Sequence, residues 1–135
     1  MASKWQESMS VGVGEFDRDH QHMLGLAQKT VAALAEGDQG LARELMNSLL
    51  VFAADHAARE TAFLHRIGYP GVDHIAAVQR DALSRLATLN KAAPEEAGEQ
   101  IAALEDTFVA YLLRADINYK SFVEAAGLSD TGRRT

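Results

Sequence analysis

The chain has 135 residues, 47% of them apolar, which is enough to bury one hydrophobic core and predicts a single domain. Its formal net charge of -6, with no basic cluster, argues against nucleic acid and anionic membranes as partners. The absence of cysteine excludes disulfides, thiolate nucleophiles and Cys-type zinc or iron–sulfur sites, so a bound metal must take nitrogen and oxygen ligands. Neither a signal peptide nor a membrane-length apolar segment is evident, and we expect a soluble, cytoplasmic protein.

Four stretches carry apolar residues at helical spacing, and no strand-type alternation is present in the sequence. The first spans about 17–36 and stops before a glycine; the second ends at the Gly68-Tyr69-Pro70 turn. The third covers about 72–90. Pro94, followed by two glutamates, marks the start of the fourth helix.

The short links between these stretches favour antiparallel neighbours. The sequence therefore predicts an all-α fold, an antiparallel up-down-up-down four-helix bundle over residues 17–126. Residues 1–16 are expected to form an N-terminal extension leading into the bundle, and residues 127–135 a flexible C-terminal tail.

The second helix places two ionisable residues on its core-facing stripe. Steps of three and four residues connect Leu45, Leu49, Phe52, His56, Glu60, Phe63 and Ile67. His56 and Glu60 are one turn apart on the same side, so both side chains can reach one point. Because a buried charge is costly unless it is paired, these two residues require a partner across the core.

Polar residues on two other predicted helices supply candidate partners. His20 lies on the inner face of the first helix, and Asp116 lies close to the inner face of the fourth. With His56 and Glu60 they form two imidazoles and two carboxylates, a ligand set that a divalent first-row metal prefers, iron or manganese more than zinc. One alternative for His20 is a core histidine hydrogen-bonded to a carbonyl or carboxylate, and for His56 and Glu60 a buried pair that satisfies itself. For Asp116 the alternative is an exposed pair with Lys120.

Three segments resemble the hemerythrin family, specifically the bacterial hemerythrin-like domains. They are SVGVGEFDRDHQHML, DHAARETAFL followed by RIGYP, and DINYKSF, which together cover most of the chain from about Trp5 to Phe122. The resemblance implies a four-helix bundle with a non-haem iron site. Carried over to this chain, the family's pattern assigns iron ligation to His20, His56, Glu60 and Asp116.

The family's second iron takes three more histidines, two from the third helix and one from the fourth. This chain has Ile75, Gln79 and Tyr111 at those positions. A one-residue gap would instead align His74, but it would turn Asp81 and Arg85 toward the core. The ungapped register is favoured because it buries Ile75, Ala82, Leu86 and Leu89.

The missing histidines predict one iron (Fe²⁺) per chain with open coordination positions, akin in ligand type to the facial-triad oxygenases. We therefore expect an oxidoreductase that activates O2 toward a small substrate. In this hypothesis Tyr111 is a proton or hydrogen-atom donor or a direct ligand, and Gln79 orients the substrate or O2. The alternative for Tyr111 is core packing with its hydroxyl bonded to Gln79.

Two hypotheses from other classes remain open. One is an O2 or NO carrier, storage protein or sensor with two metals, in which Tyr111, His74 and Gln79 complete an unusual second site. The other is a metal-free bundle that serves as an interaction module. Arg59, Arg66 and Arg114 are interpreted as solvated charges or, alternatively, as groups that attract an acidic substrate.

Overall fold

A computed structural model describes residue 5, residues 9–91 and residues 117–130, and these are helical with short connections. Helix α1 is Gly14–Ala35, α2 is Gln39–Arg66 and α3 is Val72–Lys91; a 3-10 turn at Ile117–Tyr119 leads into the short α4, Lys120–Ala125. No strand occurs within the described ranges. The predicted all-α class is confirmed, whereas most of the predicted fourth helix lies outside the described residues.

A tight turn separates α1 from α2. Gly37 follows α1 with a φ of 80°, a left-handed conformation that costs glycine little. Asp38 then caps α2, because its carboxylate accepts a hydrogen bond from the Leu41 amide at 3.0 Å. This turn reverses the chain direction and brings α2 back along α1.

Ring contacts show that α1 and α2 run antiparallel. Near the start of α1, Phe16 packs edge-on against Phe63, with ring centroids 5.5 Å apart. Further along α1, His22 packs against Phe52, which lies earlier in α2, at 4.5 Å. The amphipathic stripe predicted for α2 therefore faces α1.

Helix α3 returns along α2 in the opposite direction. Leu64, near the end of α2, packs in one cluster with Ile75, near the start of α3. At the far end, Arg43 of α2 donates a hydrogen bond to the carbonyl of Asn90 at 2.8 Å. These two contacts fix the α2–α3 register over nearly the whole length of α3.

Two apolar clusters form the core of the described residues. One contains Val11, Val13, Phe16, Leu64, Ile75, Tyr119 and Val123; the other contains Met23, Leu26, Ala27, Met46 and Leu49. Along α1 and α2 the polar residues His20, His56 and Glu60 lie between the residues of these two clusters. The apolar layers above and below exclude water from this polar layer.

Hydrogen bonds tie the segment before α1 to the start of that helix and to the segment after α4. Residues 9–13 are buried, and the Asp17 carboxylate accepts hydrogen bonds from the Ser10 hydroxyl at 2.6 Å and the Val11 amide at 2.9 Å. Asp130 accepts from the Gly14 amide at 2.6 Å. These hydrogen bonds anchor the start of α1. The helix begins at Gly14, three residues before its predicted start. None of the described helices is both long and apolar enough to cross a membrane.

Candidate metal centre

The structure brings together three of the four predicted metal ligands. His20 comes from α1, and His56 and Glu60 come from successive turns of α2; their exposed fractions are 0%, 4% and 0%. One donor atom from each lies within 4.8 Å of the others. The spacing of four residues in α2 and the antiparallel return of α1 produce this convergence.

The separations of the donor atoms suit a single ion. The Nε2 atoms of His20 and His56 are 3.0 Å apart, and His56 Nε2 is 3.4 Å from Glu60 Oε1. The third separation, from His20 Nε2 to Glu60 Oε2, is 3.8 Å. Two atoms bonded at about 2.1 Å to one ion are roughly 3.0 Å apart at a right angle and roughly 3.4 Å apart at the tetrahedral angle. Two of the separations match these values, and the third, which involves the other oxygen of Glu60, is longer; the three residues lie close enough to hold one ion.

A carboxylate on α1 orients the His56 ring. Nδ1 of His56 lies 2.8 Å from Oδ2 of Asp19, which is buried beside it. A carboxylate can only accept, so the ring donates its Nδ1 proton to Asp19, and this bond turns Nε2 toward His20 and Glu60. A carboxylate in this position also raises the basicity of an imidazole ligand.

Arg59 fixes Asp19 in turn. Its guanidinium donates to Asp19 at 2.8 Å, to Asp55 at 2.8 Å and to Glu15 at 2.7 Å. The hydrogen bond to Asp19 is the main reason why the pKa of Arg59 is raised above its ordinary value. Three carboxylates compensate the charge of Arg59, so this residue belongs to the support of the site and is poorly placed to attract an acidic substrate.

Glu60 is held at both of its carboxylate oxygens. The Gln79 side-chain amide donates to Oε1, and the Tyr119 hydroxyl donates to Oε2. Burial alone would raise the pKa of Glu60, but hydrogen bonding to His56, the charges of His56 and His20 and the Tyr119 hydroxyl outweigh it, and the pKa is lowered. The Glu60 carboxylate is therefore ionised at neutral pH.

Thr61 determines which way the Gln79 amide faces. Its hydroxyl donates to Gln79 Oε1 at 3.0 Å, which leaves the amide nitrogen directed at Glu60. A donor group, and not a metal-binding atom, thus lies beside Oε1 of Glu60.

The α3 register agrees with the ungapped alignment. Ile75 is 1% exposed and packs in the core, whereas His74 is exposed to solvent. Among the described α3 residues, Ile75 and Gln79 face the centre where the resemblance would place two histidines. His74 lies outside the centre.

Two of the predicted site residues, Asp116 and Tyr111, lie outside the described residues. Two other residues, Asp19 and Tyr119, contact the candidate ligands and were not predicted from the sequence. Tyr119 is buried, and helical spacing in the fourth stretch predicts that burial. The same spacing gives no sign of its hydrogen bond to Glu60. Asp19 gave no periodic signal, because it is adjacent to His20 and about 100° around the helix from it.

Comparisons with known proteins add no assignment to this geometry. No protein-family model matches the chain, and no curated protein matches it at a significant level. The resemblance to hemerythrin-like domains therefore rests on the quoted segments alone.

Proposed function

We propose that the protein is a hemerythrin-like, non-haem iron protein whose single iron, held by His20, His56 and Glu60, activates O2 for oxidation of a small organic substrate. The observation that carries this proposal is the convergence of two imidazoles and one anionic carboxylate in a water-excluded layer. Two histidines with one carboxylate are the ligand type of iron(II) oxygenases. Asp19 strengthens the assignment, because a buried carboxylate that orients a histidine ring is typical of metal sites.

The surroundings of Glu60 favour one metal over two. A carboxylate that bridges two ions needs further ligands on the side of the second ion. On the α3 side, Ile75 supplies hydrocarbon and Gln79 supplies an amide hydrogen-bond donor, and neither side chain presents a metal-binding atom to that space. The proposal therefore assigns one iron to each chain.

The proposal includes the predicted antiparallel up-down-up-down four-helix bundle. Asp116 is its fourth ligand, as the resemblance implies, and Tyr111 is its proton or hydrogen-atom donor or a direct ligand; both lie outside the described residues. Tyr119 is a second candidate for the proton or hydrogen-atom donor, since its hydroxyl donates a hydrogen bond to Glu60. Gln79 positions Glu60 and lies between that ligand and the surface groove described below.

Anaerobic reconstitution with ferrous iron tests the proposal. We expect about one iron per chain in the wild type and a large loss in His56→Ala. His65→Ala is the matched control, because His65 lies on the same helix but is exposed. On exposure to air the ferrous protein should consume O2 irreversibly.

Two outcomes would contradict the proposal. Two irons per chain with reversible uptake of O2 would support a carrier or sensor. Failure to retain iron, with a Tm that a chelator leaves unchanged, would support a metal-free interaction module.

A further inference from the structure

A groove of about 500 Å³ lies between α2 and α3. It is on the side of α2 that faces away from α1. Alanines from both helices and Leu83 make most of its lining, which also includes the half-buried Thr61 and Gln79 and the exposed His65 and Arg80. Its volume lies within the range of roughly 300–1,000 Å³ that is usual for small-molecule sites. The groove is therefore large enough for a small organic molecule.

Arg80 gives this apolar groove a positive charge. The residues three and four positions away along α3 are Ala76, Ala77, Leu83 and Ser84, so no helical neighbour supplies a carboxylate. The lining contains no acidic residue, and Arg80 forms no ion pair among the described residues. By contrast, Arg85 on the same helix pairs with Asp81 at 3.0 Å.

One side chain connects the groove to the metal ligands. Gln79 lines the groove, and its amide donates to Glu60, while Thr61, also in the lining, holds the amide oxygen. A molecule in the groove would therefore contact a residue that is hydrogen-bonded to a ligand of the metal.

We propose that the groove binds a small carboxylic acid with an aliphatic or aromatic body. Its hydrocarbon would cover the alanines and Leu83, and its carboxylate would pair with Arg80 by charge-assisted hydrogen bonds. As an assignment of substrate class this inference rests on the proposed function. The binding itself requires no metal, so the two can fail separately.

Isothermal titration calorimetry of the metal-free full-length chain with octanoate tests the inference. Arg80→Gln should weaken octanoate binding about three- to fivefold, near the upper end for a solvent-exposed ion pair. The matched control, Arg85→Gln, removes an arginine that is exposed on the same helix but absent from the lining, and should leave the affinity within about twofold of the wild type. Octanol, which lacks the carboxylate, should bind no more tightly to the wild type than to Arg80→Gln.

A second pair of variants tests the location. Ala58→Phe places a ring in the groove and should abolish octanoate binding, whereas Val51→Phe, exposed on α2 outside the groove, should not. Circular dichroism should show both variants to be folded. No octanoate binding by the wild type, equal losses in Arg80→Gln and Arg85→Gln, or unchanged binding by Ala58→Phe would overturn the inference. The iron content of the wild type would then still decide the proposed function.

Discussion

Asp19 of α1 and His56 of α2 are joined by a hydrogen bond of 2.8 Å between Oδ2 and Nδ1. This contact crosses the helix–helix interface and sets the direction in which the other ring nitrogen points. The orientation of one ligand therefore depends on a neighbouring helix and, through Asp19, on Arg59. A candidate site held in this way is preorganised to receive a metal ion.

The first prediction concerns Asp19. Asp19→Asn keeps the shape of the side chain but removes its charge, so His56 loses a strong acceptor. We expect metal affinity to fall about 10–100-fold, as measured by competition with a chromophoric chelator. Asp55→Asn is the control, because Asp55 also binds Arg59 but is largely exposed. Equal losses in the two variants would show that the Asp19–His56 contact has no special role.

The second prediction concerns Tyr119. Tyr119→Phe leaves the buried Oε2 of Glu60 without this donor and should lower the unfolding free energy of the metal-free protein by about 1–3 kcal/mol. Tyr69→Phe is a matched change, since the Tyr69 ring packs against Tyr119 but its hydroxyl forms no hydrogen bond among the described residues. Urea denaturation should show little change for Tyr69→Phe. Similar midpoints for both variants would count against the Tyr119–Glu60 bond.

The third prediction concerns pH. Because the folded-state pKa of Glu60 is lowered, its ionised form adds stability that is fully present above its unfolded-state pKa of about 4.3. This contribution is lost as the pH falls from that value through the folded-state pKa. The unfolding free energy of the metal-free wild type should therefore drop in this acidic window.

Glu60→Gln should flatten this drop, because the variant has no carboxylate to protonate at this position. Glu44→Gln, at an exposed site on the same helix, should follow the wild-type curve. Denaturation measured from pH 7 down to acid gives both curves. Parallel curves for Glu60→Gln and the wild type would contradict the lowered pKa.

The sequence predicted those parts of the site that depend on helical periodicity. The α2 stripe placed His56 and Glu60 in the core, and burial of Ile75 selected the α3 register in which His74 is exposed. Both conclusions follow from counting residues around a helix, which needs no knowledge of the partner helix.

The remaining features depend on tertiary contacts that periodicity does not encode. Asp19 reaches His56 because the packing of α1 against α2 brings these two residues opposite each other. Arg59 is positioned by carboxylates from both helices. Residues 9–13 are buried without helical spacing, because they are fixed by hydrogen bonds to Asp17. Such side-chain bonds are set by the fold and have no repeating signal in the chain.

We propose that one metal ion binds among His20, His56 and Glu60. Anomalous diffraction at the iron edge, from crystals of the ferrous protein grown anaerobically, locates iron directly. We expect a single anomalous peak within about 2.3 Å of one donor atom of each of these three residues. Two peaks between the helices, or a peak whose ligands exclude His56 and Glu60, would contradict the account.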